Sequence, residues 1–376
     1  MNISYITTYD ARDVHQWSGL GHYIAAALQQ HAELDFVGNL DTSITGYLRL
    51  KAYIYSKMGQ RYLFDRVPLL VRGNAVKAER RIKPDADIIF SPSSLPINLI
   101  QSGKPKVFYT DATFAGMIDF YPYFTNLAAE SIRNGNKLEQ AAFDNCQLAI
   151  YSSEWAAKTA IDYYNVDPAK IKVVPFGANI ECDRVLADIE SIANNKDTVT
   201  CHLLFLGVEW DRKGGDVALA ITRELNQRGV PAILHIAGIQ PDFFKELPPY
   251  VKNYGFVSKS THEGQQLLKK LFTQSHFLLL PSKADCTPVV YAEANSFGLP
   301  CITTDVGGIP TMIKDDINGK MFSLYDNPEL YVNYIQAVFR DSTLYTELSR
   351  SSFNEYATRL NWDASGKALM ALLNAL

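Results

Sequence analysis

The chain has 376 residues, enough for two domains that each bury a core of their own, with 47% hydrophobic and 20% charged residues. That composition is typical of a globular protein, and a formal net charge of -4 does not favour a general nucleic-acid binder. The five cysteines form no Cys-x-x-Cys pair, which indicates neither a disulfide framework nor a zinc site and fits a reducing cytoplasm.

The first predicted strand, residues 3–6, begins almost at Met1, without a basic region and apolar core of signal-peptide length. No stretch of eighteen apolar residues follows anywhere, so we expect neither export nor a membrane span. Further short apolar or β-branched runs, each followed by a segment of helical length, occupy residues 34–37, 87–90, 106–109, 148–151 and 171–174. This alternation predicts βαβ units and a parallel sheet covered on both faces.

A glycine pair follows the first strand, in the segment WSGLGHY at residues 17–23, just before a predicted helix. Gly19 and Gly21 would let the backbone approach a ligand closely. An ordinary turn is the alternative reading of the same residues.

Residues 44–83 are locally basic, with ten Lys or Arg against only Asp65 and Glu79. Five Tyr or Phe side chains alternate with these cations, a combination typical of interfacial or lipid-linked acceptor sites. Two interpretations stay open: peripheral contact with an anionic membrane at the inner membrane face, or a solvated helical face with an ordinary core side.

The triplet Asp85-Ala86-Asp87 imitates the Asp-x-Asp of metal-dependent sugar transferases. It follows Pro84 and leads directly into a predicted strand, which favours a turn. We expect no metal there.

A polar connection at residues 183–200, with the makings of a short helix, separates two similar halves. Beyond it, strands are predicted at residues 203–206, 232–236, 253–257, 277–280 and 301–303. The sequence therefore predicts an α/β protein of two doubly wound, Rossmann-like parallel sheets. We assign residues 1–180 to the first domain and 181–361 to the second, with helix 362–376 a candidate to pack back on the first.

Two cations stand where the second half begins its first helix. Arg212 and Lys213 belong to the segment GVEWDRKGG, residues 207–215, which joins a strand to a helix. A helix N-terminus is already positive, so cations there are unfavourable unless an anion such as a diphosphate approaches. Gly207 and the later glycines leave room for that approach. A solvated surface turn is the alternative.

The segment LPSKADCTPVVYAE, residues 280–293, combines a strand end with a second helix start. Thr287 suits a helix cap and Pro288 a first turn. The free N–H groups near Val289 and Val290 would then form a second anion cradle.

Two acids accompany this helix, Asp285 just before it and Glu293 about two turns along it. On either side of a ligand, one would accept hydroxyl hydrogens from a sugar and the other from a ribose. Alternatively, Glu293 is a helix-face charge and Asp285 a loop acid.

Taken together, these residues resemble the retaining glycosyltransferases of family 4, which have the GT-B fold. The spacing of Asp285 and Glu293 is that of the paired acids of the family, and Lys213-Gly214 resembles its phosphate-gripping Lys-Gly. Residues 303–310 (TTDVGGIP) are similar to its loop after the next strand, and residues 171–179 (IKVVPFGAN) to the segment that closes its first domain. The resemblance covers most of residues 150–325.

The chain departs from this pattern at two donor-side positions. Val208 follows the first glycine where the family commonly has Arg, so Arg212 is expected to supply that charge. The first acid is the shorter Asp285, which affects how the sugar is held. By the same resemblance, Phe256 and Val257 face the nucleobase.

For the first domain, the resemblance implies a sheet that faces the second across a cleft, with the Gly19 and Gly21 loop closing on the donor phosphate. Residues 109–111, where many relatives carry His-Asp or His-Glu, read Tyr-Thr-Asp here. Asp111 and His22 are thus the acceptor-side candidates, together with His15, should a general base be required.

The function expected is retaining transfer of a sugar from a nucleotide diphosphate donor to a glycan, lipid-linked or small-molecule acceptor, without a metal or other cofactor. Arg212 and Lys213 would stabilise the departing diphosphate, with Asp285 holding the sugar. A sugar-nucleotide epimerase or phosphorylase on the same fold is the alternative, and a non-catalytic nucleotide-sugar-binding protein is a third reading.

Overall fold

The computed structural model describes residues 1–40 and 42–376 and divides into two compact units. The first unit comprises Met1–Phe176 and Trp362–Leu376, and the second comprises Gly177–Asn361. The sequence placed the boundary after residue 180. No helix in the described part of the chain is both long and apolar enough to cross a membrane.

The first unit is built on a six-stranded parallel sheet in the order β2-β1-β3-β4-β5-β6. Its strands are β1 (Asn2–Ile6), β2 (Glu33–Val37), β3 (Ile88–Ser91), β4 (Lys106–Thr110), β5 (Leu148–Tyr151) and β6 (Ile171–Val173). Its helices are α1 (Leu20–Gln29), α2 (Gly46–Lys57), α3 (Pro68–Glu79), α4 (Phe114–Met117), α5 (Ala129–Asn145), α6 (Glu154–Tyr163) and, from the end of the chain, α14 (Trp362–Leu373).

The second unit repeats this plan with the sheet order β12-β11-β10-β7-β8-β9, again parallel. Its strands are β7 (Cys201–Leu206), β8 (Ala232–Ala237), β9 (Val251–Asn253), β10 (Phe277–Leu280), β11 (Cys301–Thr304) and β12 (Gly319–Phe322). Its helices are α7 (Leu186–Asn194), α8 (Gly215–Gln227), α9 (His262–Gln274), α10 (Val289–Asn295), α11 (Ile309–Met312), α12 (Pro328–Arg340) and α13 (Ser342–Thr358).

The predicted α/β class with two doubly wound parallel sheets is confirmed. Every residue of β3, β4, β5, β10 and β11 is buried, because helices cover both faces of a parallel sheet. This burial explains why the strands appear in the sequence as continuous apolar runs instead of alternating ones.

Two strands differ from expectation. β9 ends at Asn253, not near residue 257, because Gly255 takes a left-handed conformation (φ 68°) that turns the chain out of the sheet. β12 was not predicted. It is a four-residue edge strand in which only Gly319 is buried, so its sequence carries little apolar signal.

In both sheets the direction in which the chain adds successive strands reverses once, although all strands stay parallel. In the second unit the chain builds outward from β7 through β8 to β9, then returns to place β10 on the other side of β7. In the first unit the corresponding reversal lies between β1 and β3. Loops that leave the carboxyl ends of the two strands at such a switch point diverge and leave a crevice, the usual ligand site of open α/β sheets.

Candidate functional site

The loop that leaves β7 at the switch point of the second unit is fixed by close packing. Trp210 is buried and its indole N–H donates to Asp216 Oδ1 at 2.8 Å. Gly214 has a left-handed backbone (φ 75°), and a Cβ there would stand 2.0 Å from the carbonyl oxygen of Pro281. The loops after β7 and β10 therefore pack backbone against backbone.

This packing brings three charged side chains together. Lys213 Nζ lies 2.5 Å from Asp285 Oδ2, and Arg212 Nη1 lies 3.6 Å from the same oxygen. Arg212 also donates to the carbonyl oxygen of Ala284 at 2.8 Å and pairs with Glu209. The sequence suggested these charges separately, and the structure joins them into one cluster.

The cluster is largely removed from water, with 10% of the Lys213 side chain exposed, 12% of Arg212 and 7% of Asp285. It is therefore not a solvated surface turn. Desolvating charges costs several kcal/mol per ion unless partners compensate, so buried clusters of this kind are weak contributors to stability. Such groups are common at functional sites.

Helix α10 begins beside this cluster and carries the second acid. The N-cap of α10 is Pro288, so the predicted cap at Thr287 is wrong by one residue. The Thr287 hydroxyl instead donates to the carbonyl oxygen of Cys286 at 2.6 Å. Val289 and Val290 form the first turn and are half-buried.

Glu293 is fully buried on α10 and is not a helix-face charge. Its Oε1 forms an ion pair with Lys259, while its Oε2 is buried without a hydrogen-bond partner among the residues described. An unmet buried carboxylate oxygen costs on the order of 1–3 kcal/mol or more. The site thus contains one acceptor atom that the protein does not satisfy.

Tyr291 holds α10 against the sheet. Its hydroxyl lies 2.6 Å from Thr303 Oγ1 on β11 and donates to the carbonyl of Leu280 at the end of β10. Burial raises the pKa of Tyr291 well above its ordinary value, so the phenol stays protonated. The helix bearing Glu293 is in this way fastened to both neighbouring strands.

The remaining donor-side residues predicted in the second unit lie on its loops. Gly207 sits beneath Lys213, since an added Cβ would be 3.1 Å from Lys213 Cγ. Gly308, in the loop after β11, donates its backbone N–H to the carbonyl oxygen of Asp285 at 3.0 Å. Beyond β9, Phe256 is 62% exposed and Val257 is half-buried.

The first unit carries the predicted donor-side glycines Gly19 and Gly21 and the acceptor-side candidates His22 and Asp111. Gly19 is the left-handed N-cap of α1 (φ 82°), and a Cβ added at Gly21 would stand 2.4 Å from Tyr9 Oη, so the Tyr9 side chain would have to move. His22 is half-buried on α1, edge-on to Tyr23. Asp111 follows β4 and is also half-buried.

Asp85 and Asp87 both accept hydrogen bonds from Asn2. Asp87 Oδ2 accepts a hydrogen bond from the backbone N–H of Asn2 at 2.7 Å, and the Asp85 carbonyl accepts from the Asn2 side chain at 3.3 Å. Outside residue 41, no three His, Cys, Asp or Glu side chains are grouped so as to hold a metal ion.

Two polar residues of the site were not predicted from the sequence. Glu209 precedes Arg212 by three residues, a spacing that allows an ion pair on a helical turn. Lys259 reaches Glu293 from the loop between β9 and α9. No local pattern links Lys259 to a carboxylate 34 residues away.

Residues 189–359 match the family model described as Glycosyl transferases group 1. One curated relative, D-inositol 3-phosphate glycosyltransferase of Segniliparus rotundus, is 24% identical over 246 residues, covering 61% of this chain and 54% of the relative. Another, an uncharacterized 41.2 kDa protein of the cps region of Klebsiella pneumoniae, is 24% identical over 229 residues, covering 61% and 60%. The chain spans about half the length of the curated relatives it matches.

Solved structures resemble the whole chain at low identity. Sucrose-phosphate synthase of Thermosynechococcus elongatus has a TM-score of 0.67 at 15% identity, covering 100% of this chain and 98% of that one. HepE of Anabaena in complex with UDP-glucose has a TM-score of 0.64 at 15% identity, covering 100% of both chains. WaaG, a glycosyltransferase of lipopolysaccharide biosynthesis, has a TM-score of 0.62 at 14% identity, covering 97% and 98%. These likenesses confirm the expected GT-B fold class.

The contact of Gly214 with Pro281 is open to a matched test. We expect Gly214→Ala to destabilise the second unit by more than about 3 kcal/mol, because the added Cβ meets a backbone oxygen in addition to the strain of a positive φ. Gly229→Ala is the control, since Gly229 has the same conformation (φ 74°) but no atom within 4 Å of the added carbon. It should cost only about 1 kcal/mol.

Urea unfolding, with hydrogen exchange of second-unit peptides to localise the effect, measures both variants. Equal destabilisation by the two substitutions would show that the loops after β7 and β10 are not in backbone contact.

Proposed function

We propose that this chain, whose residues 189–359 match the group 1 glycosyltransferases, moves a sugar from a nucleoside diphosphate to an acceptor hydroxyl with retention of configuration and without a metal. The observation that carries the proposal is the convergence of Arg212 and Lys213 on Asp285 at the switch point of the second unit.

The cations supply the diphosphate site. Before the donor binds, Asp285 partly neutralises both of them. A diphosphate brings more negative charge than one carboxylate and would take Arg212 and Lys213 as its own partners, together with the backbone N–H groups at the start of α8. That exchange frees Asp285 to accept a hydroxyl hydrogen from the sugar. Thr287 to Val290 remain our proposed second contact with the diphosphate.

Glu293 supplies the ribose site. Its unpartnered Oε2 is suited to a ribose hydroxyl, and a bound ribose would remove the cost of leaving that oxygen unsatisfied. The exposed Phe256, next to the left-handed Gly255, is placed on a loop where an aromatic ring can contact a nucleobase. The UDP-glucose bound to HepE supports a nucleotide sugar as the donor class.

The reaction proposed is a same-face substitution. The bond between the sugar anomeric carbon and the β-phosphate oxygen breaks, the acceptor oxygen attacks from the face that the diphosphate leaves, and the acceptor proton passes to the departing phosphate. Arg212 and Lys213 stabilise the charge that develops on the diphosphate, and cations held in place before the reaction lower its barrier most effectively. No protein base is required, so Asp111 and His22 act in acceptor binding.

Helix α2 supports the membrane contact proposed for residues 44–83. Its large apolar side chains are exposed along one face: Tyr47 (70%), Leu50 (59%), Tyr53 (59%), Ile54 (52%) and, just beyond the helix, Met58 (65%). These exposed apolar side chains favour membrane contact over the alternative of a solvated polar face. With Arg49 and Lys57 on the same helix, the face suits an anionic bilayer, in which aromatic and aliphatic groups enter the interface and cations meet the headgroups.

Removing the donor contacts should abolish transfer while the fold is kept. We expect Lys213→Gln and Glu293→Gln each to lower kcat/KM at least about 100-fold, or about 2.7 kcal/mol, because each loses a contact with the donor. Lys269→Gln on the exposed face of α9 is the control and should leave kcat/KM unchanged. Donor-dependent product formation with a panel of nucleotide sugars and acceptors is the measurement.

The same assay in EDTA tests metal independence. Full activity is expected, whereas loss that magnesium or manganese restores would make the diphosphate site metal-dependent. Wild-type turnover by either donor-site variant would remove the site itself, and sugar interconversion without any acceptor would favour an epimerase.

The stereochemistry of the first product is a separate prediction. Proton NMR should show an α linkage from an α donor, because the departing diphosphate and the incoming hydroxyl occupy the same face. A β product would mean inversion, and Asp111→Asn and His22→Gln would then be compared to find the base.

Membrane contact is measured by flotation with phosphatidylcholine vesicles that contain or lack phosphatidylglycerol. We expect the triple variant Leu50→Asn, Tyr53→Asn, Ile54→Asn to bind anionic vesicles at least about tenfold more weakly than wild type. Tyr325→Asn is the control, since Tyr325 is 93% exposed but lies in the second unit. Undiminished binding by the triple variant would locate the contact elsewhere, and no binding by wild type would remove it.

A further inference from the structure

The first unit contains a cavity of about 540 Å³ at its own switch point. Thr8 follows β1 and Ser93 follows β3, so the cavity opens where the loops after these two paired strands diverge. The donor residues discussed above belong to the second unit and contribute nothing to this cavity. It is therefore a separate concave site with the topological placement of a ligand pocket.

Two arginines give the cavity its charge. Arg66 comes from a 3-10 turn, Phe64–Arg66, and Arg49 from α2. The Arg66 side chain is only 14% exposed, with its guanidinium 4.9 Å from the centre of the Phe114 ring. Its Nε is buried and has no hydrogen-bond partner among the residues described. A buried charged donor left unsatisfied is costly, and Arg66 lines the cavity, where an oxyanion would meet its guanidinium group.

The nearby acids do not meet that donor. Asp65 lies 3.6 Å from Arg66 Nη1 and has a half-exposed side chain, while Glu139 is buried and accepts from the Ser94 hydroxyl at 2.7 Å. Burial raises the pKa of the Glu139 carboxyl above its usual range, against the opposing charge of Arg66. The charged form of Glu139 is thus disfavoured where it would otherwise cancel Arg66.

The rest of the lining combines neutral polar side chains with apolar ones and the Asp65 carboxylate. Thr42 donates its hydroxyl to Asn74 Oδ1 at 2.7 Å, which engages the amide oxygen and leaves the two N–H groups of Asn74 for another partner. Arg49 stands exposed on the rim and forms no ion pair with any residue that the structure describes. Arg49, Arg66 and Asn74 thus present donors to the cavity, to which Asp65 contributes a carboxylate.

We propose that this cavity binds an oxyanion, a phosphate or carboxylate group, between Arg66 at its inner end and Arg49 at its rim. Planar guanidinium groups match the oxygen spacing of such anions. That the oxyanion belongs to the acceptor rests on the proposed function; the binding site itself does not. A lipid phosphate and a water-soluble sugar or polyol phosphate present the same group, and α2 carries both Arg49 and the exposed apolar face.

The test is equilibrium binding of sn-glycerol 3-phosphate to the full chain by titration calorimetry, with glycerol as the uncharged comparison. Wild type should bind the phosphate and not glycerol. Arg49→Gln and Arg66→Gln should each raise the dissociation constant at least tenfold. Arg80→Gln, in the same basic stretch but outside the cavity lining, is the matched control and should bind as wild type does.

A second arm identifies the source of the oxyanion. Phosphatidic acid in phosphatidylcholine vesicles replaces glycerol 3-phosphate, and the same variants are compared by flotation. A tenfold effect of Arg66→Gln in the vesicle arm alone assigns the site to a lipid phosphate, and one in the calorimetric arm assigns it to a soluble one. Equal binding by Arg66→Gln and wild type in both arms, or no binding by wild type in either, overturns the proposal.

Nucleoside diphosphate affinity, measured on the same variants by thermal shift, separates this inference from the proposed function and reports whether Arg66→Gln is folded. The nucleoside diphosphate affinity of the variants should equal that of wild type, because the proposed donor residues lie in the second unit. If the cavity variants lose oxyanion binding but no nucleotide sugar is ever turned over by wild type, the sugar transfer fails while the oxyanion site stands.

Discussion

The contact on which the site of the second unit depends is that of Gly214 with Pro281. Because only a hydrogen atom fits between the two backbones, the loops after β7 and β10 lie near enough for Arg212 and Lys213 to share Asp285. A side chain at this place would separate the loops, and with them the cations from the carboxylate. The charges that motivate the proposed chemistry are thus held in position by an uncharged feature, a glycine with positive φ.

The site contains both polar atoms that have hydrogen-bond or ion-pair partners and a buried polar atom that lacks one among the residues described. Among the residues that the structure describes, Asp285 contacts the cations Arg212 and Lys213, whereas Glu293 pairs with Lys259 and keeps one buried oxygen without a hydrogen-bond partner. In the first unit, Arg66 Nε is similarly unmet. A folded protein gains nothing from such atoms, since each keeps its desolvation cost without a hydrogen bond. Both of our proposals assign a ligand group to such an atom or to the side chain that bears it.

The fold was largely predictable because its signal is local. A strand buried on both faces is a continuous apolar run, so β5 and β10 could be placed to the residue from the sequence. β12 was not predicted because it is defined mainly by its pairing with β11, and a sequence pattern within residues 319–322 does not report that pairing. The β9 boundary failed for a different reason: the left-handed turn at Gly255 is invisible to hydrophobic patterning.

The sequence suggested which residue types form the candidate site but not how those residues contact one another. The residue types and spacings around Lys213 and Glu293 were enough to suggest an anion and two hydroxyl contacts. The Lys259 partner of Glu293 and the stacking of Arg66 on Phe114 were not predictable, because each joins segments with no common local pattern. The oxyanion cavity likewise joins the loops after β1, β2 and β3 with α2, α3 and the 3-10 turn between these helices.

The return of α14 to the first unit also sets an order of synthesis. The ribosome makes Met1–Phe176 first, but the indole of Trp362, which lies 5.8 Å from the Phe176 ring, is made only after all of Gly177–Asn361. The second unit therefore emerges entire while the first still has an uncovered face on α1, the helix that packs against α14. The first unit therefore begins synthesis before the second but is completed after it. The surface of α1 that α14 later covers must stay soluble while the second unit is synthesised.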